Sequence, residues 1–181
     1  VDEADVSRLA APGLPLALLR AMPANAAPRD SERRWDDGPI GALIDHIVAT
    51  YHRPLPAMLA RLQAAASMRG ARLTRGVGEL CELLLEHLRR EEELVFPWLR
   101  RPNRGAAGVL VAVLEHEHGD AARSIADLRE LAADQPDDRA GTAGSLSRCL
   151  QSLQEVLEAH VQLEDKVLFP RALAAAANDD T

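Results

Sequence analysis

The sequence predicts an all-α chain, an up-down-up-down four-helix bundle preceded by an N-terminal extension. Three observations carry that expectation. Ala and Leu dominate a composition in which aromatics are only 3% of residues, and no β-branched run alternates with period two. Four long stretches repeat apolar residues at spacings of three and four, the periodicity of helices that bury one face. Short turn signals separate these stretches, which makes neighbouring helices antiparallel. With 181 residues, 47% of them hydrophobic, the chain can bury the core of one domain.

Residues 1–38 form the extension. Pro12, Gly13, Pro15, Pro23, Pro28, Gly38 and Pro39 supply too much punctuation for one long helix, leaving room for a short one around Leu16 to Met22. Helix 1, about 39 to 69, carries Ile44, Val48, Tyr51, Leu55, Leu59 and Leu62, with Met58 on the same face, and ends at Gly70. Helix 2, about 73 to 101, carries Leu80, Leu84, Leu88, Val95 and Trp98, and ends at Pro102-Asn103-Arg104-Gly105. Helix 3, about 105 to 133, carries Val111, Leu114, Ile125 and Leu128. After the turn signals of Asp134 to Gly144, helix 4 runs from about 143 to 177 with Leu146, Leu150, Leu153, Leu157, Val161 and Leu168. The bundle therefore spans 39–177, with 178–181 as a tail.

Charge and cysteine usage exclude several function classes. Lys plus Arg number 21 against 28 Asp plus Glu, a net charge of -7, and no basic block exceeds a pair, so nucleic acid is not an expected partner. Cys81 and Cys149 alone cannot build a disulfide framework or a four-cysteine zinc site, and they suit a reducing cytoplasm, the expected location. No apolar run approaches the roughly 18 residues of a membrane span, so no membrane is expected either. A Gly-rich phosphate loop is absent, as is any Ser/His/Asp or Cys/His arrangement on one face. Oligomeric state is left open.

Each apolar stripe is interrupted at mid-length by groups foreign to a core. On helix 4 the ladder 146, 150, 153, 157, 160, 164, 168 puts His160 and Glu164 on the buried seam. On helix 2 the ladder 80, 84, 87, 91, 94, 98 does the same for His87 and Glu91. Helix 1 sets His52 between Val48 and Leu55, and helix 3 sets His118 between Leu114 and Ile125. Burying a carboxylate without compensation is so costly that a bound cation is the economical expectation. His and Glu four apart lie one turn apart on one face, so both reach the same metal cluster.

Other polar residues fall off these seams. His46 is six residues before His52, about 240° around the helix, and His116 is two from His118, so both face elsewhere. Glu115 reads as a rim carboxylate, and Glu92 and Glu93 as a solvated face. Phe96 and Phe169 close the core at one end and shield the site from water. The two cysteines read as buried, inert thiols.

A lone His-x-x-x-Glu is weak evidence, but here it is duplicated. The segment from His87 through Glu91 to Phe96-Pro97 aligns without a gap on that from His160 through Glu164 to Phe169-Pro170. His52 and His118 each precede one apolar position by seven residues and another by ten, Leu59 and Leu62 in one case, Ile125 and Leu128 in the other. The pattern predicts a doubled helix pair around a pseudo-two-fold site. Imidazole with carboxylate suits iron, manganese or zinc alike.

Leu43-Ile-Asp-His-Ile47, Tyr51-His52, the paired His-x-x-x-Glu segments with their Phe-Pro endings, and Glu115-His-Glu-His118 resemble the hemerythrin-like (HHE cation-binding) domain. The branch most similar is the repair-of-iron-centres family of di-iron proteins, and the resemblance covers about residues 39 to 175. It implies His52, His87, His118 and His160 as terminal ligands and Glu91 and Glu164 as bridging carboxylates of two iron ions joined by an oxo or hydroxo bridge. It does not extend to the cysteine-containing N-terminal module of that family, since no cysteine precedes Cys81. Oxygen-carrying hemerythrins use a fifth histidine four residues after the one corresponding to His118, where this chain has Ala122.

The resemblance further implies a non-haem di-iron protein of the nitrosative or oxidative stress response. Four donors per ion leave open positions for small diatomic ligands, NO or O2, so the implied output is binding or reducing NO, or supporting the repair of damaged iron-sulfur proteins. Whether it is an enzyme is left open. The alternatives are an O2 or NO sensor or reservoir without turnover, and a di-zinc or structural bundle.

Overall fold

A computed structural model describes residues 35, 37–101, 107–134 and 142–179, and every element among them is helical. The helix expected at Leu16 to Met22 lies outside the described residues. Four rods follow in order. The first joins α1 (Ile40–Ile47), a π-helical turn π1 (Val48–His52) and α2 (Leu55–Ser67). The second joins α3 (Ala71–Arg90), π2 (Glu91–Val95) and α4 (Phe96–Leu99). The third is α5 (Ala107–Ala133), and the fourth joins α6 (Thr142–Leu163), π3 (Glu164–Leu168) and α7 (Phe169–Asp179). Each rod packs against two others, first on second, second on third, third on fourth and fourth on first, which closes the bundle.

The core falls into two apolar layers, and their composition fixes the topology. One layer takes Leu55, Leu59 and Leu62 from the first rod, Val77, Leu80 and Leu84 from the second, Ile125 and Leu128 from the third, and Leu146 to Leu157 from the fourth. The other takes Leu43, Ile44, Ile47 and Tyr51, then Val95, Phe96 and Leu99, then Val111 and Leu114, then Leu163, Leu168 and Phe169. Rods one and three thus enter the second layer first, whereas rods two and four enter it last. That alternation is the up-down-up-down order expected from the short connections. Each fully buried Leu contributes about 1.5–3 kcal/mol, enough for the layers to anchor groups between them that would otherwise seek water.

Three rods contain a π turn at the height where the layers meet. The amide of Phe96 pairs with the carbonyl of Glu91, that of Phe169 with Glu164, and that of Arg53 with Val48, five residues back instead of four. A proline follows in each case, Pro54, Pro97 or Pro170, whose missing N–H and ring already disfavour regular α-helical pairing there. The extra residue rotates everything beyond it. On the second rod Leu94, expected on the buried ladder, is 57% exposed, while Val95, Phe96 and Leu99 take the core positions. Trp98, also on that ladder, is only half-buried, and so is Met58 on the first rod.

Gly70 makes the turn between the first two rods at φ +106° and ψ 164°, a conformation closed to residues with a Cβ. The Thr74 hydroxyl donates to the Gly70 carbonyl at 3.0 Å, which fastens the start of α3. Gly70→Ala should therefore cost about 1–3 kcal/mol, read as a lower urea midpoint at unchanged slope. An unchanged midpoint would show that the turn tolerates another backbone conformation.

Candidate metal centre

Between the two apolar layers lies a belt of polar side chains, one contribution from each rod. His52 ends π1, His87 and Glu91 straddle the junction of α3 and π2, His118 sits mid-way along α5, and His160 and Glu164 straddle the junction of α6 and π3. All six residues selected by the stripe count are buried, and both carboxylates are wholly removed from solvent. The π turns explain how Glu91 and Phe96 both point inward. Five residues along a regular helix would set them roughly 140° apart, whereas the wider turn brings them toward one face.

The donor atoms form two groups of four. One group is His52, Glu91, His160 and Glu164, and the other is His87, Glu91, His118 and Glu164; within each, all the donor atoms lie within 4.8 Å of one another. The carboxylates belong to both groups and divide their oxygens between them. Glu91 presents Oε2 to His52 Nε2 at 3.4 Å and Oε1 to His87 Nε2 at 3.2 Å. Glu164 presents Oε2 to His118 Nε2 at 3.3 Å and Oε1 to His160 Nε2 at 3.1 Å. Within each group the two imidazole Nε2 atoms are 3.2 Å apart.

These spacings match a metal polyhedron better than a hydrogen-bond network. Two donors each about 2.1 Å from one ion, at angles between 90° and tetrahedral, are about 3.0–3.4 Å apart. Among the described residues none makes a hydrogen bond to any of the four buried carboxylate oxygens, so the nearby rings do not satisfy them as N–H donors. The donor set therefore fits a metal.

Three of the rings are oriented from behind. His52 Nδ1 donates to Glu92 at 2.9 Å, His87 Nδ1 to Glu117 at 2.8 Å, and His118 Nδ1 to Asp165 at 3.2 Å. Holding the proton on Nδ1 leaves each Nε2 lone pair turned toward the centre. Arg90 pairs with the other oxygen of Glu117. The fourth ring, His160, is stacked on Tyr51 with centroids 5.4 Å apart. Phe96 stacks on His52 and Phe169 on His118, so the two aromatics press directly on the site as well as closing the core.

Several side residues fall where the sequence sets them. His116 and Glu115 are exposed, and half-buried His46 packs its ring against Trp35. Cys81 is buried and its thiol is pushed up to about 11 by burial and then by Glu82, as an inert core residue requires. Glu92 is exposed as expected, and one of its oxygens also accepts from His52. Glu117 and Asp165, which meet His87 and His118, are positions that the stripe count missed. Their signal is adjacency to His118 and Glu164, because the residue beside an inward ligand on a rod's flank faces the neighbouring rod.

Without a cation the belt is electrostatically strained. Burial, then repulsion from His160, lowers His52 to about 4. Burial opposes charging His87 and His160, yet Glu91 and Glu164 beside them outweigh it and raise both. For Glu164 burial is likewise outweighed, by His160 and His118, which hold it below the ordinary carboxylate range. Glu91 is raised by burial and by the Glu164 charge. A folded pKa above the unfolded one means that Glu91 disfavours the metal-free fold at neutral pH, a penalty that shrinks as pH falls through the folded value. Glu91→Leu should thus raise the melting temperature of metal-stripped protein, by the equivalent of about 1–3 kcal/mol, while abolishing any rise on adding metal. A lower melting temperature in the stripped variant would show that Glu91 is satisfied without metal.

Comparison with known proteins agrees with this geometry. The iron-sulfur cluster repair protein DnrN of Neisseria gonorrhoeae is 29% identical over 149 residues, covering 77% of this chain and 95% of that protein. The iron-sulfur cluster repair protein YtfE of Escherichia coli O17:K52:H18 is 27% identical over 173 residues, covering 89% of this chain and 79% of that protein. The sequence pattern of the hemerythrin HHE cation binding domain matches residues 43–172, a span that runs from within α1 to the buried start of α7 and holds the whole polar belt. The chain belongs to the hemerythrin HHE cation binding domain family.

Proposed function

We propose that this chain is a non-haem di-iron protein that supports iron-sulfur cluster repair under nitrosative and oxidative stress and binds small diatomic molecules, NO or O2, at its metal pair. The observation that carries the reading is the sharing of both carboxylates between two donor groups, which suits two adjacent ions. In it, His52 and His160 serve one ion, His87 and His118 the other, and Glu91 and Glu164 bridge. The relatives named as iron-sulfur cluster repair proteins support the repair role. A bound iron pair would supply Lewis acidity, redox equivalents and exchangeable coordination positions.

The residues around the belt suit a small apolar ligand. A cavity of about 150 Å³ between the second, third and fourth rods reaches His87, His118 and His160. Its walls are mostly Leu, Ala, Ile and Val, with Glu117, Gln154 and Glu158 as polar members. Phe169 stacks on His118 and Phe96 on His52, and both belong to the second apolar layer. Ala122 lines the cavity, so the position where an oxygen carrier has its fifth histidine here contributes space.

Two measurements test the reading. Iron-loaded protein should restore activity to an oxidatively damaged iron-sulfur enzyme above the level given by an equal amount of free ferrous iron, and Glu164→Ala should not. Restoration equal to that by free iron would contradict the repair role. For ligand access, Ala122→Phe should slow NO binding to the reduced protein about tenfold or more in anaerobic stopped-flow mixing, with iron content unchanged. An unchanged rate would show that ligands enter elsewhere.

A further inference from the structure

The two donor groups share their carboxylates but not their surroundings. Behind His87 and His118 stand Glu117 and Asp165, whose side chains are 21% and 23% exposed. Arg90 grips the second oxygen of Glu117, which keeps the first aimed at His87. The other group is less supported. Glu92, behind His52, is 46% exposed, so water competes for it. Among the described residues His160 meets a carboxylate only through Nε2, toward Glu164, and its ring face lies against Tyr51.

A carboxylate on the far nitrogen makes an imidazole a stronger donor and fixes its direction, and losing one typically lowers metal affinity about 10–100-fold. We infer that the two halves of the site hold their ions unequally: the His87/His118 half retains its ion, and the His52/His160 half gives its ion up first. The inference rests on the two-ion reading above and deepens it. Release of one ion from a pair gives a repair protein a defined iron to donate while the second half keeps the belt folded. Glu117 and Asp165 are then positioning residues for the retained ion, and Glu92 for the released one.

The test is release kinetics. Reduced, iron-loaded protein is mixed anaerobically with excess ferrous chelator, and iron is followed by the colour of its chelate. Two phases of equal amplitude are expected, with rates at least about tenfold apart. Glu117→Gln should accelerate the slow phase alone, and Glu92→Gln the fast phase alone. Two ions released in a single phase would overturn the inequality and leave the di-iron reading standing. Glu117→Gln acting on the fast phase, or either variant accelerating both phases together, would overturn the assignment. Fewer than two irons per chain before mixing would overturn the di-iron reading and this inference with it.

Discussion

Two carboxylates, Glu91 and Glu164, sit wholly buried at the centre of the bundle, and among the described residues no hydrogen-bond donor reaches any of their oxygens. Removing an ionised carboxylate from water costs several kcal/mol even after relaxation, so the fold around this pair must supply both compensation and an anchor. On the proposed reading, compensation comes from two cations held between the carboxylates and the four inward Nε2 atoms. The anchor is the pair of apolar layers, which fix the register of all four rods above and below the belt. A slip of any rod by one residue would move its polar side chain off the seam.

The duplicated segments show how the chain builds this belt from a repeated local device. Each couples an inward His, an inward Glu one turn later, a π turn and a Phe-Pro step. The π turn is widened where proline already weakens helical pairing, and the gain is a phenyl ring placed on the imidazoles. The halves are not identical. Arg90 and Glu117 belong to one side, and Tyr51 stacked on His160 to the other, so the pseudo-two-fold site is asymmetric in its supports while symmetric in its donors.

The inward direction of the six belt residues was legible in the sequence because helical periodicity converts spacing into direction. His87 with Glu91 and His160 with Glu164 stand four apart on apolar ladders, and gap-free duplication made chance untenable. Leu94 was misread because a π turn breaks the 3.6-residue count, and only Pro97 hinted at it. Glu92, Glu117 and Asp165 were hidden for a different reason. Their partners are 40, 30 and 47 residues away on neighbouring rods, and such contacts depend on how each rod is rotated against the next, which one rod's periodicity does not specify.

The central claim is that one belt holds two ions through shared carboxylates, and anomalous diffraction at the iron edge from crystals of iron-loaded protein tests it most directly. Two peaks per chain are expected, one among His52, His160 and the two glutamates, the other among His87, His118 and the same glutamates. A single peak, or peaks that leave Glu91 or Glu164 in contact with only one ion, would contradict it.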